Sequence, residues 1–244
     1  MVRMLVTRPE PDASETAGRL SALGITPVVE PLLRFEVLPT GLPDGEGFAG
    51  LALTSANALR ALEARGAIAT YRHLKVFAVG ERTAHAARAH GFDDVATAAG
   101  NLHDLVELIG AARPAGPVFY PAANEQSGDL GKALATHGIM TITAKVYAMR
   151  AADKLSVPVS ADLGSGAIAA AMFYSRRTAE TFVAVAPDLL GAQPGMLCIS
   201  EGVAAPLLGA HFVRVSLAEH PSEEAMLALA LSFARGQKRG NIGL

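Results

Sequence analysis

Short apolar runs closed by polar turns, each followed by a helix-spaced segment, recur along the whole chain. Arg3–Val6, Leu51–Thr54, Lys75–Val79, Val118–Tyr120, Ala167–Tyr174 and Met196–Ile199 read as strands that are buried on both faces. Between them the apolar spacing changes to that of helices. Ala13, Ala17, Leu20 and Leu23 mark one stripe, which predicts a helix capped by Asp12, with Glu15 as the other half of a capping box and Gly24 as its stop. Ser55–Ala64, Thr83–His90 (stopped by Gly91), Leu102–Ile109 (capped by Asn101, with Asp104 in the box position) and Asp129–His137 (stopped by Gly138) follow. Arg176–Val185, Val203–Leu208 and Ser222–Phe233 complete the helical set. Thr26–Leu38 and Thr141–Arg150 read as extended, Pro27 and Pro31 barring helix from the first. Gly41–Gly50 reads as a loop and Arg235–Leu244 as a frayed tail.

Landmarks in this pattern repeat. Val76–Ala84, a strand running through Gly80 into a helix, has a counterpart in Met196–Ala204, with Ser200 in the place of Gly80. Gly80 and Ser200, Ser55 and Ser175, and Phe92 and Phe212 all stand 120 positions apart. A second register, of 114, relates Leu20 to Leu134 and Gly24 to Gly138. The chain therefore reads as an internal duplication of strand–helix units. The predicted fold class is α/β: two similar lobes with mostly parallel sheets, joined by a two-stranded extended hinge near 26–38 and 141–150. Ligands of open parallel sheets bind beyond the carboxyl ends of the strands, so a site is expected there, in a cleft between the lobes.

Composition narrows the function classes. Half of the 244 residues are hydrophobic, and 21 basic against 23 acidic residues give no global field toward nucleic acid or membrane surfaces. A single cysteine and no tryptophan exclude a disulfide framework and fit a reducing, cytoplasmic compartment. No apolar stretch nears the ~20 residues of a membrane span, and the N-terminus lacks a signal-length apolar region. Nothing demands more than a monomer.

The vocabulary of several enzyme classes is missing. There is no GxGxxG, GxxxxGK[ST] or GxSxG, and the seven histidines lack metal-ligand spacing, so neither a metal site nor a hydrolase, kinase or dinucleotide enzyme is expected. Cys198 sits inside a strand and reads as a core thiol. Present instead are small hydroxyl and amide residues at strand-to-helix turns: Thr7-Arg8, Thr54-Ser55-Ala56-Asn57, Gly80-Glu81-Arg82-Thr83, Tyr174-Ser175-Arg176-Arg177 and Ser200-Glu201-Gly202. Free N–H groups at helix starts bind anions without a lysine cluster, whereas any one such residue by itself simply caps its helix. Five turns in matching copies point to a polyanion site. Arg8, Arg176 and Arg177 stand where they could meet carboxylates, and Glu201 could be a dipole partner. Tyr147, in Lys145-Val146-Tyr147-Ala148, either packs in its strand or offers a phenol to a leaving oxygen.

Leu5-Val6-Thr7-Arg8-Pro9, Leu53-Thr54-Ser55-Ala56-Asn57-Ala58, Ala78-Val79-Gly80-Glu81-Arg82-Thr83-Ala84, Val146-Tyr147 and Phe173-Tyr174-Ser175, in this order and spacing, resemble the uroporphyrinogen-III synthase family. The resemblance implies that Met1–Glu36 joins Ala151–Leu244 in one lobe, with Val37–Arg150 inserted as the other. It implies a cofactor-free lyase that takes hydroxymethylbilane, a linear tetrapyrrole polycarboxylate, removes water and cyclises it with inversion of the last pyrrole ring. By the same resemblance Tyr147 is the proposed acid for water loss. Thr83 takes the place of a cleft threonine, and Ser55 and Ser175 those of two strand-end serines. The sequence departs from the family's pattern at Val203, often threonine, at Ser200 for glycine, at Asn57, and at Pro121-Ala122-Ala123-Asn124, which lacks an arginine-glycine pair. Patterning alone fits a second class equally well, a two-lobed module that closes on a small anion without chemistry.

Overall fold

Helix and parallel strand alternate from one end of the chain to the other. The computed structural model describes residues 1–126, 128–186 and 194–240. The chain opens with β1 (Arg3–Val6), α1 (Asp12–Ala22), β2 (Thr26–Val29) and β3 (Leu33–Val37). It continues through β4 (Gly50–Leu53), α2 (Ala56–Ala64), α3 (Ile68–Tyr71), β5 (Val76–Ala78), α4 (Glu81–Ala89) and β6 (Val95–Thr97). Next come α5 (Leu102–Ala112), β7 (Val118–Ala123), α6 (Leu130–Ala135) and β8 (Thr141–Ala151). The remainder is α7 (Val157–Gly164), β9 (Ala170–Phe173), α8 (Arg176–Val185), β10 (Gly195–Cys198), α9 (Glu201–Gly209), β11 (Val215–Leu217) and α10 (Glu223–Gly240). Two units divide these elements: Met1–Arg34 with Arg150–Leu244, and Phe35–Met149.

Unit 1 holds a five-stranded sheet in the order β11-β10-β9-β1-β2, with every pairing parallel. The six-stranded sheet runs β3-β8-β7-β4-β5-β6. Its pairings from β8 to β6 are parallel. At the β3 edge Leu38 N donates to Val146 O and Ala152 N to Leu32 O, both at 2.9 Å. Residue numbers rise on one strand as they fall on the other, so β3 runs antiparallel to β8.

The duplication is visible in the register itself. Leu51 pairs with Val76 and Ala171 with Met196; Val76 pairs with Val95 and Met196 with Val215. Each correspondence is a shift of 120. Phe119 beside Leu51 matches Leu5 beside Ala171, and Thr141 beside Val118 matches Pro27 beside Met4, a shift of 114. The two shifts anticipated from Ser55/Ser175 and Gly24/Gly138 thus belong to different strands of one repeated sheet.

Helices cover both faces of each sheet, which is why the central strands are apolar at every position. In unit 2, Leu51, Leu53, Val76 and Ala78 meet Leu59 and Leu62 of α2 and Ala84 and Ala87 of α4. Ala52, Phe77, Val118 and Tyr120 face Leu105 and Ile109 of α5 and Leu130 and Leu134 of α6. In unit 1, Leu5, Ala171, Met196 and Cys198 lie under α7, α8 and α9, while Met4, Val6, Met172 and Leu197 lie under α1 and α10. Cys198 is a buried core thiol, its ionisation pushed up to about 12 by desolvation.

Four local expectations change. Asp12 does not cap α1: Pro11 occupies the cap without a side-chain bond, because the Asp12 carboxylate is taken by Arg8 at 2.6 Å. The stretch 26–38 is broken rather than continuous. β2 ends at Val29 and joins β1; Glu30 and Leu32 donate to Val6 and Thr7, and β3 then starts in the other sheet. Pro31, without an N–H, sits at the break. Helix α4 begins at Glu81, ahead of Thr83, since extended Gly80 (φ −172°) serves as its cap. The expected tail from Arg235 is helical as far as Gly240, and 241–244 lie outside the described residues.

Candidate active site

The carboxyl ends of the unit 2 strands surround a cavity of about 390 Å³. Strand β4 is flanked by β5 and β7, and the chain reaches β7 only after completing β5 and β6 on the other side. A gap opens at such a reversal of strand order because the helices leave toward opposite faces. Thr54 and Ser55 line it from the end of β4, Val79 from β5, Tyr120 and Ala123 from β7, and Tyr147 from β8. Gly100, Asn101 and Leu102 contribute the start of α5, and Glu125, Gln126 and Gly128 the loop after β7.

Two phenols dominate its chemistry. Tyr147 is 5% exposed, and its ring stacks on Phe35 with centroids 5.7 Å apart. Burial raises its ionisation above the ordinary 10.0; the Ser55 hydrogen bond works the other way, and nearby Tyr120 adds a smaller rise. Tyr120 is 3% exposed, with its hydroxyl 3.1 Å from Thr54 Oγ1. Burial raises its ionisation too, against a smaller lowering by the Thr54 bond. Both phenols are therefore neutral donors at physiological pH. Ser55 has a second duty as the cap of α2, accepting from Asn57 N at 3.2 Å. The Asn57 side chain is engaged locally, accepting from Arg60 at 3.1 Å and lying 3.6 Å from Met149 Sδ.

The other expected residues of unit 2 lie apart from this lining. Gly80 caps α4, and a Cβ there would come within 3.4 Å of Gly100. Thr83 is buried in the first turn of α4, 6% exposed, and is not part of the cavity wall.

In unit 1 the corresponding turns are built differently. Thr7 is buried and donates to Met172 O at 2.6 Å, tying β1 to β9. Arg8 bonds Asp12, Thr16 and Glu223, and its guanidinium lies 4.2 Å from the Tyr174 ring centroid. The Tyr174 hydroxyl faces Thr16 and Glu223 without closing a hydrogen bond of ordinary geometry; burial is the chief cause of its raised ionisation. Ser175 caps α8, accepting from Thr178 N at 3.2 Å and sharing a 2.7 Å bond with the Thr178 hydroxyl. Arg176 is exposed and pairs with Glu180 at 2.8 Å. Ser200 caps α9 with no side-chain hydrogen bond, leaving its hydroxyl and the exposed Glu201 and Gly202 at the helix start.

Of the residues expected from the sequence, the structure thus brings Thr54, Ser55 and Tyr147 into one cavity. Tyr120 and the Gly100–Leu102 turn were not anticipated. Tyr120 reads in sequence as the last residue of a strand; only the β4–β7 register places it beside Thr54. Among the described residues, no three histidine, cysteine, aspartate or glutamate side chains gather as metal ligands do. Nor is any described helix long and apolar enough to cross a membrane.

Known proteins share this fold. The family model for uroporphyrinogen-III synthase HemD (HEM4) matches residues 14–228. The uroporphyrinogen-III synthetase of Helicobacter pylori 26695 superposes with a TM-score of 0.67 at 23% identity, over 95% of this chain and 99% of that one. A mutant uroporphyrinogen III synthase of Thermus thermophilus superposes with a TM-score of 0.60 at 17% identity, over 97% and 100%. No curated protein sequence matches. These likenesses carry the fold, and the family match, which spans most of the chain, carries the assignment: the chain belongs to the uroporphyrinogen-III synthase family.

Proposed function

We propose that the chain performs the reaction for which its family is named, cyclising hydroxymethylbilane to uroporphyrinogen III with loss of water and inversion of the last pyrrole ring. The observation that carries this reading is the unit 2 cavity, where neutral phenol and hydroxyl donors converge at the carboxyl ends of a parallel sheet. The leaving hydroxyl sits on a carbon next to an electron-rich pyrrole, so its departure needs one well-placed proton rather than a strong base. Tyr147 supplies that proton: the phenol O–H breaks, the C–O bond breaks, and water departs with the proton. The pyrrole electron pair stabilises the cation left behind. Attack by the α-carbon of the last ring that already bears the bridge to the third ring forms a C–C bond and a spiro intermediate. Its bond to the old bridge carbon then breaks, leaving a second pyrrole-stabilised cation there. The last ring's other α-carbon bonds to that bridge carbon, inverting the ring, and loses the proton that restores the phenol.

Steering matters more than acid strength here, because unassisted closure gives the uninverted type I isomer. Holding a flexible octacarboxylate in a single curled geometry is an entropy trap, which can lower a barrier by about 7–11 kcal/mol when the fit is good. Thr54 and Ser55 are the substrate-contacting hydroxyls of the cavity in this reading, and Asn57, Gly80 and Thr83 hold the first turns of α2 and α4 beside it. Arg8, committed to Asp12 and Glu223, holds the turn after β1 in shape. The protein works as a cytoplasmic monomer without a cofactor. Family membership favours catalysis over a non-catalytic anion-binding module.

The test is to supply hydroxymethylbilane and separate type III from type I product. Type III in excess is expected; type I alone, at the spontaneous rate, would end the proposal.

A further inference from the structure

Tyr120 is a buried polar side chain of the cavity that neither the repeat nor the turn motifs account for. Its ring is buried between β7 and the helices α5 and α6, while its hydroxyl reaches the cavity wall beside Thr54. A phenol and a threonine each bring one hydrogen and can each accept. The single 3.1 Å bond between them uses one of the two hydrogens. One hydroxyl hydrogen of the pair is therefore left for another acceptor, in a cavity lined further by Asn101 and Ser55. At about 390 Å³ the cavity lies at the low end of ligand-site sizes, enough for part of a tetrapyrrole and not for all of it. The Glu125 carboxylate also borders it, but Glu125 is exposed and accepts from Asn124 at 3.0 Å, whereas Tyr120 is buried.

Resting on the synthase reading, we propose that Tyr120 is a second substrate-contacting phenol, donating its hydroxyl hydrogen to the carboxylate of one acid arm while accepting from Thr54. Tyr147 serves the leaving oxygen, and Tyr120 fixes where the ring that bears that arm lies. Its role is in binding and in the choice of isomer, not in proton transfer.

The experiment compares the parent with Tyr120→Phe in the full chain, measuring KM, kcat, the type III fraction and the melting temperature. A hydrogen bond to a charged acceptor predicts a KM raised about tenfold, kcat within about twofold, and a visible share of type I product. A melting temperature lowered with KM unchanged would mean a structural pair and overturn the proposal. So would a fall in kcat alone, or no change at all. If Tyr120→Phe does not fold, Thr54→Val carries the same test: loss of the support that orients the phenol should raise KM about threefold, and an unchanged KM overturns the proposal. A parent that forms no type III product removes this inference together with the synthase reading, whereas an active parent with an indifferent Tyr120→Phe removes this inference alone.

Discussion

Replacing Tyr147 by phenylalanine separates chemistry from stability more cleanly than any other change in the cavity. The ring is retained, and with it the stack on Phe35 at 5.7 Å and 29°. What disappears is the hydroxyl and its bond to Ser55. A neutral hydrogen bond of this kind contributes about 1 kcal/mol net, and the easier burial of phenylalanine offsets part of that. For a chain of this size 1 kcal/mol shifts the melting temperature by about 2–4 °C. Loss of a general acid costs about 10²–10⁴ in rate, or roughly 3–5 kcal/mol of barrier. The chemical effect should therefore exceed the structural one severalfold. The assay follows type III formation under saturating hydroxymethylbilane, with folded fraction measured in parallel. Because spontaneous closure competes, slow turnover should also appear as accumulating type I product. Turnover within about twofold of the parent would refute the role given to Tyr147, as would a rate loss no larger than the loss of folded protein.

Thr83→Ala should impair turnover while leaving stability within about 1 kcal/mol, since Gly80 rather than Thr83 caps α4 and alanine suits a helix well; unaltered activity per folded molecule would limit Thr83 to packing. His211→Gly should stabilise by about 0.5–1 kcal/mol in denaturant titration: His211 holds φ +64° where its counterpart Gly91 holds +84°, and a left-handed backbone is strained for histidine; a lower midpoint would contradict this. Alkaline pH should destabilise the fold from about pH 10 upward. All four tyrosines (Tyr71, Tyr120, Tyr147 and Tyr174) have ionisation raised above 10.0 in the folded chain. Below that pH both states keep the proton; above it the unfolded chain ionises while the folded one does not, so each tyrosine weakens folding by up to about 1.4 kcal/mol per pH unit. Phenolate absorbance that rose near pH 10 without unfolding would refute it.

How much of this could be read from the sequence depended on whether the local signal met a competitor. Strands covered on both faces, such as Leu51–Leu53 and Met196–Cys198, are unbroken apolar runs and legible as such. The cap was legible at Asn101, where the side chain does cap, and the helices expected from Ser55 and Asp129 start one residue after those two, which are their caps. Asp12 has the same residue type in the same position, yet Arg8 from the preceding turn outbids the backbone for its carboxylate. The edge strands β6 and β11 were missed because they are short and only partly buried, so Val95–Thr97 and Val215–Leu217 carry no strong period. Thr54, Ser55 and Tyr147 announced themselves through turn chemistry and resemblance. Tyr120 did not, since its partnership with Thr54 is set by a register between strands 66 residues apart.

The duplication explains why the cavity described here belongs to unit 2. The shift of 120 sets Thr54 against Tyr174, and the shift of 114 sets Tyr120 against Val6. In unit 2 the small residue ends β4 and the phenol stands on β7; in unit 1 the phenol ends β9 and the small residue stands on β1. Moving the tyrosine across the pair changes what its hydroxyl meets. Tyr120 OH finds Thr54 and an open space. Tyr174 carries Arg8 over its ring, and its hydroxyl faces Thr16 and Glu223 without a proper bond. The same turn after the same strand is thus a donor site in one copy and a filled arginine–carboxylate cluster in the other. Neutral donors suit a polycarboxylate, whereas a cluster already supplied with two carboxylates of its own does not. The repeated sheet supplies two equivalent strand ends, and this exchange of one tyrosine leaves hydroxyls facing an open cavity at one of them and a filled arginine–carboxylate cluster at the other.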